Sequence, residues 1–286
     1  MVTPFADDGS VAYDVAADVA RFLVANGSDG LVVGGSTGEG SALSDDEKLS
    51  LFAAVAEAVS VPVIAGSTSA DTNRSVELTK QVAATGAAGV LATTPAYVRP
   101  SQRGIASHFQ AVAAATELPI MLYDIPARTG RKIAAETTID VVRTTSNVVA
   151  LKDASGDLPG AAHVKAVLGD RLDLYSGDDA LLLPFLALGA VGVVSVASHW
   201  AGPEFLGIVE AFERGDLATA QALNEQLAES CAFEGTESYP NPLPAKAALR
   251  ALGVPVGQCR LPLGPSDDVL DHHASDIVNE LHARRG

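Results

Sequence analysis

The sequence predicts an α/β protein closed as a (β/α)8 (TIM) barrel with a small C-terminal α-helical domain. Three observations carry this. One phrase recurs three times: Gly27-Ser-Asp-Gly-Leu-Val32, Gly86-Ala-Ala-Gly-Val-Leu91 and Gly189-Ala-Val-Gly-Val-Val194. In each, the first glycine suits the left-handed end of a helix and the second opens an apolar run. A second phrase places proline at the start of an apolar run, in Val61-Pro-Val-Ile64 and Leu118-Pro-Ile-Met121. Finally, eight short apolar runs alternate with helical patterns over short connections, which is the signature of a parallel sheet. Eight units are the number that closes a barrel.

Taken in order, the strand candidates are Val2–Phe5, Gly30–Gly34, Val61–Gly66, Gly89–Thr93, Pro119–Tyr123, Val148–Lys152, Leu172–Ser176 and Gly192–Val196. The first is short, because Met1 lies directly before it. Val11, Val15, Val19, Phe22 and Leu23 follow helical spacing. Ser44-Asp-Asp-Glu47 reads as a capping box opening the next helix. Further helices are expected near 72–85, 101–116, 134–145, 160–168, 179–188 and 203–213. After about residue 215 the strands stop, and helical segments follow near 217–230, 243–253 and 267–284, the first two separated by Ser238-Tyr-Pro-Asn-Pro242. The expected division is therefore a barrel over 1–215 and a helical domain over 216–286.

Composition excludes several function classes. Among 286 residues, Asp and Glu outnumber Lys and Arg by 35 to 19, and the net charge of −16 repels nucleic acid and anionic lipid. Cys231 and Cys259 lie far apart without CxxC spacing, and the six histidines form no HExxH pattern, so neither a metal site nor a disulfide framework is expected. Ala180 to Gly202 carries no charged residue and is long enough to suggest a membrane span, but Pro184, Gly189 and Gly192 break it into a buried helix and a buried strand. No basic segment followed by an apolar one opens the chain, and a reducing cytoplasm is the expected compartment.

In a barrel the loops after the strands build the site. The stretch Val148-Val-Ala-Leu-Lys-Asp-Ala-Ser-Gly156 ends an apolar strand in Lys152, where partial desolvation would free the amine as a nucleophile toward carbonyls. The alternative is a strand-end lysine paired with Asp153 or reaching out to water. Tyr123 ends the preceding strand, as a general acid and base or as a core tyrosine with its hydroxyl at the rim. The loop Gly34-Gly-Ser-Thr-Gly-Glu-Gly40 offers Ser36, Thr37 and backbone amides to a carboxylate, or is a plain tight turn. It matches neither the dinucleotide fingerprint nor the P-loop. Arg128 in Asp124-Ile-Pro-Ala-Arg-Thr-Gly130 offers a fork to a second carboxylate, or is a solvated loop arginine.

The phrases Gly35-Ser-Thr-Gly-Glu39, Thr94-Pro-Ala-Tyr-Val-Arg-Pro-Ser-Gln102, Tyr123-Asp-Ile-Pro-Ala-Arg-Thr-Gly130 and Leu151-Lys-Asp-Ala-Ser-Gly156 together resemble the dihydrodipicolinate synthase and N-acetylneuraminate lyase family of class I, pyruvate-dependent aldolases. The resemblance runs from Val2-Thr-Pro-Phe5 to Arg260-Leu-Pro-Leu263. It implies that Lys152 forms a Schiff base with pyruvate and that Tyr123 moves the protons. It implies that Thr37 holds the pyruvate carboxylate and that Val194 lines the pyruvate site. Ser36 and Tyr97 would complete a proton relay with Tyr123, Tyr97 entering from the partner subunit of a dimer or dimer of dimers. No metal or organic cofactor is implied. Arg128 decides the branch, since in dihydrodipicolinate synthases the Arg-Thr-Gly phrase receives the carboxylate of aspartate semialdehyde. Ser36, standing where that branch usually has threonine, and Ala96, standing where an aromatic residue is common, leave open a sugar-acid aldolase, lyase or dehydratase of the same family. From another class, a non-catalytic barrel binding a keto acid remains the competing reading, against which Lys152, Tyr123 and Tyr97 stand together.

Overall fold

The computed structural model describes residues 1–285. Seven strands form one sheet in sequence order: β1 (Leu31–Val33), β2 (Val63–Gly66), β3 (Gly89–Thr93), β4 (Ile120–Asp124), β5 (Val148–Asp153), β6 (Asp173–Ser176) and β7 (Gly192–Val193). From β2 to β7 every neighbouring pair is parallel. The strands are apolar because helices cover them. In β5 every residue but Val149 is buried.

The predicted first strand is not formed. Val2–Phe5 is buried, but among the described residues its only bridge is an isolated antiparallel contact of Phe5 with Val11. Its backbone groups are taken elsewhere. Val2 N–H donates to His199 Nε2 at 3.1 Å, and Phe5 N–H donates to the Val256 carbonyl at 3.2 Å. Pro4 has no N–H to offer a ladder, and its carbonyl accepts from Ala12 N–H at 3.0 Å. The predicted last strand is shorter than expected. Val194 N–H still reaches the Ser176 carbonyl at 2.8 Å, but the chain then turns into helix Ser198–Glu213.

The chain divides into two compact units. The first comprises residues 1–63 and 196–285 of the described chain. Its helix Asp45–Ala58 opens with the predicted capping box: Glu47 N–H donates to Ser44 Oγ at 3.1 Å, and Ser44 N–H donates to Glu47 Oε2 at 2.8 Å. Leu51, Phe52 and Val55 bury its inner face. Gly202, in helix Ser198–Glu213, admits the close approach of another segment, since a Cβ there would fall 2.2 Å from the Asn26 carbonyl. The C-terminal part is helical, with Leu217–Gln226, Ala228–Phe233, Leu243–Ala251 and Asp268–Arg285.

The second unit, residues 64–195, holds the register on which the site depends. Thr93 pairs with Tyr123, Tyr123 with Lys152, and Lys152 with Tyr175. At the opposite end of β5, the Asn147 amide donates to the carbonyls of Ala113, Thr116 and Leu118 at 3.1, 2.8 and 3.2 Å. The charge-free stretch 180–202 is divided among helix Leu182–Ala187, β7 and the start of the next helix. Among the described residues no helix is long and apolar enough to cross a membrane.

Candidate active site

Lys152 is the last residue but one of β5, with only 8% of its surface exposed. Its register partner on β4 is Tyr123, and side chains in register share a face of the sheet. The Lys152 ammonium therefore lies over the Tyr123 ring, 4.2 Å from its centroid. Gly177 leaves room for the lysine stem. A Cβ there would fall 3.0 Å from both Cγ and Cε of Lys152, and 2.8 Å from Ala154 Cβ. Val194, just past β7, is half-buried and is held through its N–H on Ser176.

One residue further along each strand, alternation turns the side chain to the other face. There stand Asp124 and Asp153, register partners and both buried. Asp124 Oδ1 accepts from Ile133 N–H at 3.1 Å, and Asp153 Oδ1 from Ser155 N–H at 2.8 Å. Burial pushes the Asp124 carboxyl up to about 7, against the Ile133 hydrogen bond and with the help of Asp153. Burial raises Asp153 as well. Lys132, paired with Asp157, draws both back toward the charged form.

Tyr97 and Arg128 lie on two loops of the same unit, and the structure joins those loops. Tyr97 is 92% exposed with φ 72°, and Arg99 has φ 46°. Left-handed backbone at two side-chain-bearing residues costs roughly 1–2 kcal/mol each. Arg99 Nε donates to the Gly130 carbonyl at 3.0 Å, while Arg131 Nε donates back to the Pro100 carbonyl at 2.9 Å. Where the sequence predicts a loop, Arg128 stands exposed on a one-turn helix, Pro126–Thr129, which Gly130 ends at φ 72°.

Ser36 and Thr37 belong to the other unit, on a loop built by close backbone approach. A Cβ on Gly40 would fall 2.0 Å from the Gly34 carbonyl. Thr37 Oγ1 accepts from the Asn241 amide at 2.9 Å. Glu39, held at φ 53°, pairs with Lys246 at 2.7 Å, both side chains 1% exposed, and accepts from Arg260 N–H at 2.9 Å. Lys246 also sits 4.2 Å over the Phe5 ring. Burial lowers the Lys246 pKa, and the Glu39 charge opposes that.

The structure thus brings Lys152 against Tyr123, and the Tyr97 loop against the Arg128 loop. Sequence reading missed Asn241, the Glu39–Lys246 pair, Gly177 and the carboxyls behind the rim. Asn241 and Lys246 meet their partners across some two hundred residues, so no local pattern could show them. Asp124 and Asp153, each next to a singled-out residue, were visible as the far-face partners of a strand-end pair.

A lysine stacked on a tyrosine at the carboxyl ends of adjacent parallel strands defines a class of α/β barrel that presents an amine and a phenol together at its rim. Residues 1–281 match the family described as "Dihydrodipicolinate synthetase family", and the chain belongs to that family. Among curated relatives, the 4-hydroxy-tetrahydrodipicolinate synthase of Desulforamulus reducens is 43% identical over 284 residues, covering 99% of this chain and 95% of the relative. That of Parasynechococcus marenigrum is 48% identical over 271 residues, covering 94% and 89%. Among solved structures, the lysine-bound DHDPS of Cyanidioschyzon merolae superposes with a TM-score of 0.95 at 42% identity, covering 99% of this chain and 96% of that one. The fold class is accordingly the (β/α)8 barrel with a C-terminal helical domain, seven of whose strands are formed here as ladders among the described residues.

Proposed function

We propose that the chain is a lyase that condenses pyruvate with L-aspartate-4-semialdehyde to 4-hydroxy-tetrahydrodipicolinate, a step toward diaminopimelate and lysine. The observation that carries this is Lys152 Nζ resting 4.2 Å over the Tyr123 ring, in a chain of this family that also carries Arg128 in the Arg-Thr-Gly phrase. Family membership supports the reaction, and the pair supplies its chemistry.

In this reading the Lys152 amine adds to the C2 carbonyl of pyruvate. Water leaves, and the imine becomes the electron sink, so that no metal or organic cofactor is called for. A methyl proton is lost and the resulting enamine attacks the aldehyde, forming the carbon–carbon bond. The substrate's own amine then displaces Lys152 and closes the ring. Tyr123 carries protons in these steps, in relay with Ser36 and with the partner subunit's Tyr97. Thr37 and the loop amides around it hold the pyruvate carboxylate, Val194 lines that end, and Arg128 receives the carboxylate of the second substrate. Both substrates are small anions. An acidic surface does not attract them, so local groups such as Arg128 must supply the recognition. The working unit is a dimer or a dimer of dimers.

Borohydride reduction with pyruvate, followed by peptide mass spectrometry, tests the core of this reading. The pyruvate-derived mass is expected on the peptide containing Lys152 and is lost in Lys152→Ala. An adduct on Lys132 or Lys165 instead would overturn the assignment. Turnover of the adduct with a panel of aldehydes then separates the branches. Aspartate semialdehyde is expected to outpace sugar-acid aldehydes, and the reverse preference would place the chain in the sugar-acid branch.

A further inference from the structure

We propose that Arg131, working with Arg99, is a positioning residue for the second substrate: the two arginines form a reciprocal buckle that fixes the Arg128 turn to the Tyr97 loop. This rests on the condensation reading above and deepens it.

The exchange runs in both directions. Arg99, from the Tyr97 loop, donates through Nε to the Gly130 carbonyl at 3.0 Å. Arg131, from the Arg128 turn, donates through Nε to the Pro100 carbonyl at 2.9 Å and through a terminal nitrogen to the Arg99 carbonyl at 3.4 Å. A planar fork with several donors suits two adjacent carbonyls, and a lysine could satisfy only part of this set. Gln102 adds a parallel tie, its amide donating to the Lys132 carbonyl at 2.9 Å and accepting from Ala134 N–H at 2.9 Å.

The buckle brackets Arg128. On its N-terminal side, the Arg128 and Thr129 N–H groups both donate to the Ile125 carbonyl at 3.0 Å. On its C-terminal side, Gly130 and Arg131 are the residues held by the other loop. Arg128 therefore projects from a turn anchored at both ends, which fixes where an exposed side chain begins. Pre-ordering of this kind lowers the entropy lost when the guanidinium closes on a carboxylate. The same bonds stabilise the loop that holds Tyr97 and Arg99 in left-handed backbone. The described partners of Arg99 and Arg131 are backbone carbonyls, so toward the second substrate these residues act through Arg128 rather than on the reacting atoms.

The test uses the full-length protein with Arg131→Met and Arg131→Lys, and compares the Michaelis constants for the two substrates with the borohydride adduct. Arg131→Met is expected to raise the KM for aspartate semialdehyde about tenfold, the cost of losing one good charged hydrogen bond, while the KM for pyruvate and the Lys152 adduct stay as in the parent. Arg131→Lys should recover part of the loss. Because Arg131 acts through Arg128, the double variant Arg128→Ala/Arg131→Met should be little worse than Arg128→Ala alone. Multiplying single-variant losses, or an adduct lost in step with semialdehyde turnover, would overturn the proposal. A parent protein that forms the Lys152 adduct but ignores aspartate semialdehyde would overturn the condensation reading itself, and this proposal with it.

Discussion

Asp124 lies one residue beyond Tyr123, and burial has pushed its carboxyl from 3.8 up to about 7. The native chain then holds this proton at pH values where the unfolded chain has released it. The neutral form stabilises the fold below about pH 4, and that stability is lost as pH rises through about 7. Asp153, Asp157 and Lys132 face the same group, the first two raising its pKa and the lysine lowering it. Asp124→Asn keeps an acceptor for Ile133 N–H and removes the titration. Its stability relative to the parent should therefore improve between pH 5 and pH 8, by about 2–4 kcal/mol at most, measured by urea unfolding at both values. A gap that stays flat or shrinks across that range would refute the assignment. At this scale the sequence was informative about the rim and silent about what supports it. Lys152 and Tyr123 end apolar runs, and that pattern alone singles them out. The need for glycine at position 177 shows only once the Lys152 stem is seen beside it.

Elements were legible where their cause is local. Ser44 and Glu47 are three residues apart, so the box that starts helix Asp45–Ala58 can be read directly from the letters. Glu47 also binds Arg260 at 2.5 Å, and that hydrogen bond above all holds its carboxyl down at about 2. Ser44→Ala is accordingly the cleaner probe of the cap, since Glu47→Ala would remove the ion pair as well. Ser44→Ala should destabilise the protein by about 1 kcal/mol, read from its urea midpoint at unchanged slope. A loss below a few tenths would mean that the Glu47–Arg260 pair orders this helix start without the cap. The predicted first strand failed for the opposite reason. Val2 to Phe5 has the right apolar residues, but the partners that claim its N–H groups, His199 and Val256, come from much later in the chain. Strand-like composition settled its burial, while its hydrogen bonding was decided by residues that no window around it contains.

At the scale of the molecule, the Tyr97 loop is the feature that a single chain leaves unexplained. Tyr97 is 92% exposed and Val98 57% exposed, on a backbone that is left-handed at residues 97 and 99. Strained backbone persists where the surroundings over-determine it, and here the Arg99–Arg131 exchange does so on the Arg99–Pro100 side of the loop. Two adjacent exposed hydrophobic side chains held in a fixed strained loop suit contact with a second copy of the chain, and under the function proposed above each Tyr97 would there serve the other subunit's relay. Light scattering at working concentration should then give at least a dimer. Val98→Asp would bring a charge into that contact, where burying it unpaired is costly. It should shift the protein toward monomer and lower condensation activity, with activity partly regained as protein concentration rises. Tyr97→Phe should instead keep the assembly and the Lys152 adduct but slow turnover, because it removes only the hydroxyl. A monomer with full activity, or a Val98→Asp variant that dissociates without losing turnover, would show that each chain completes its own proton path and that Tyr97 serves no neighbour.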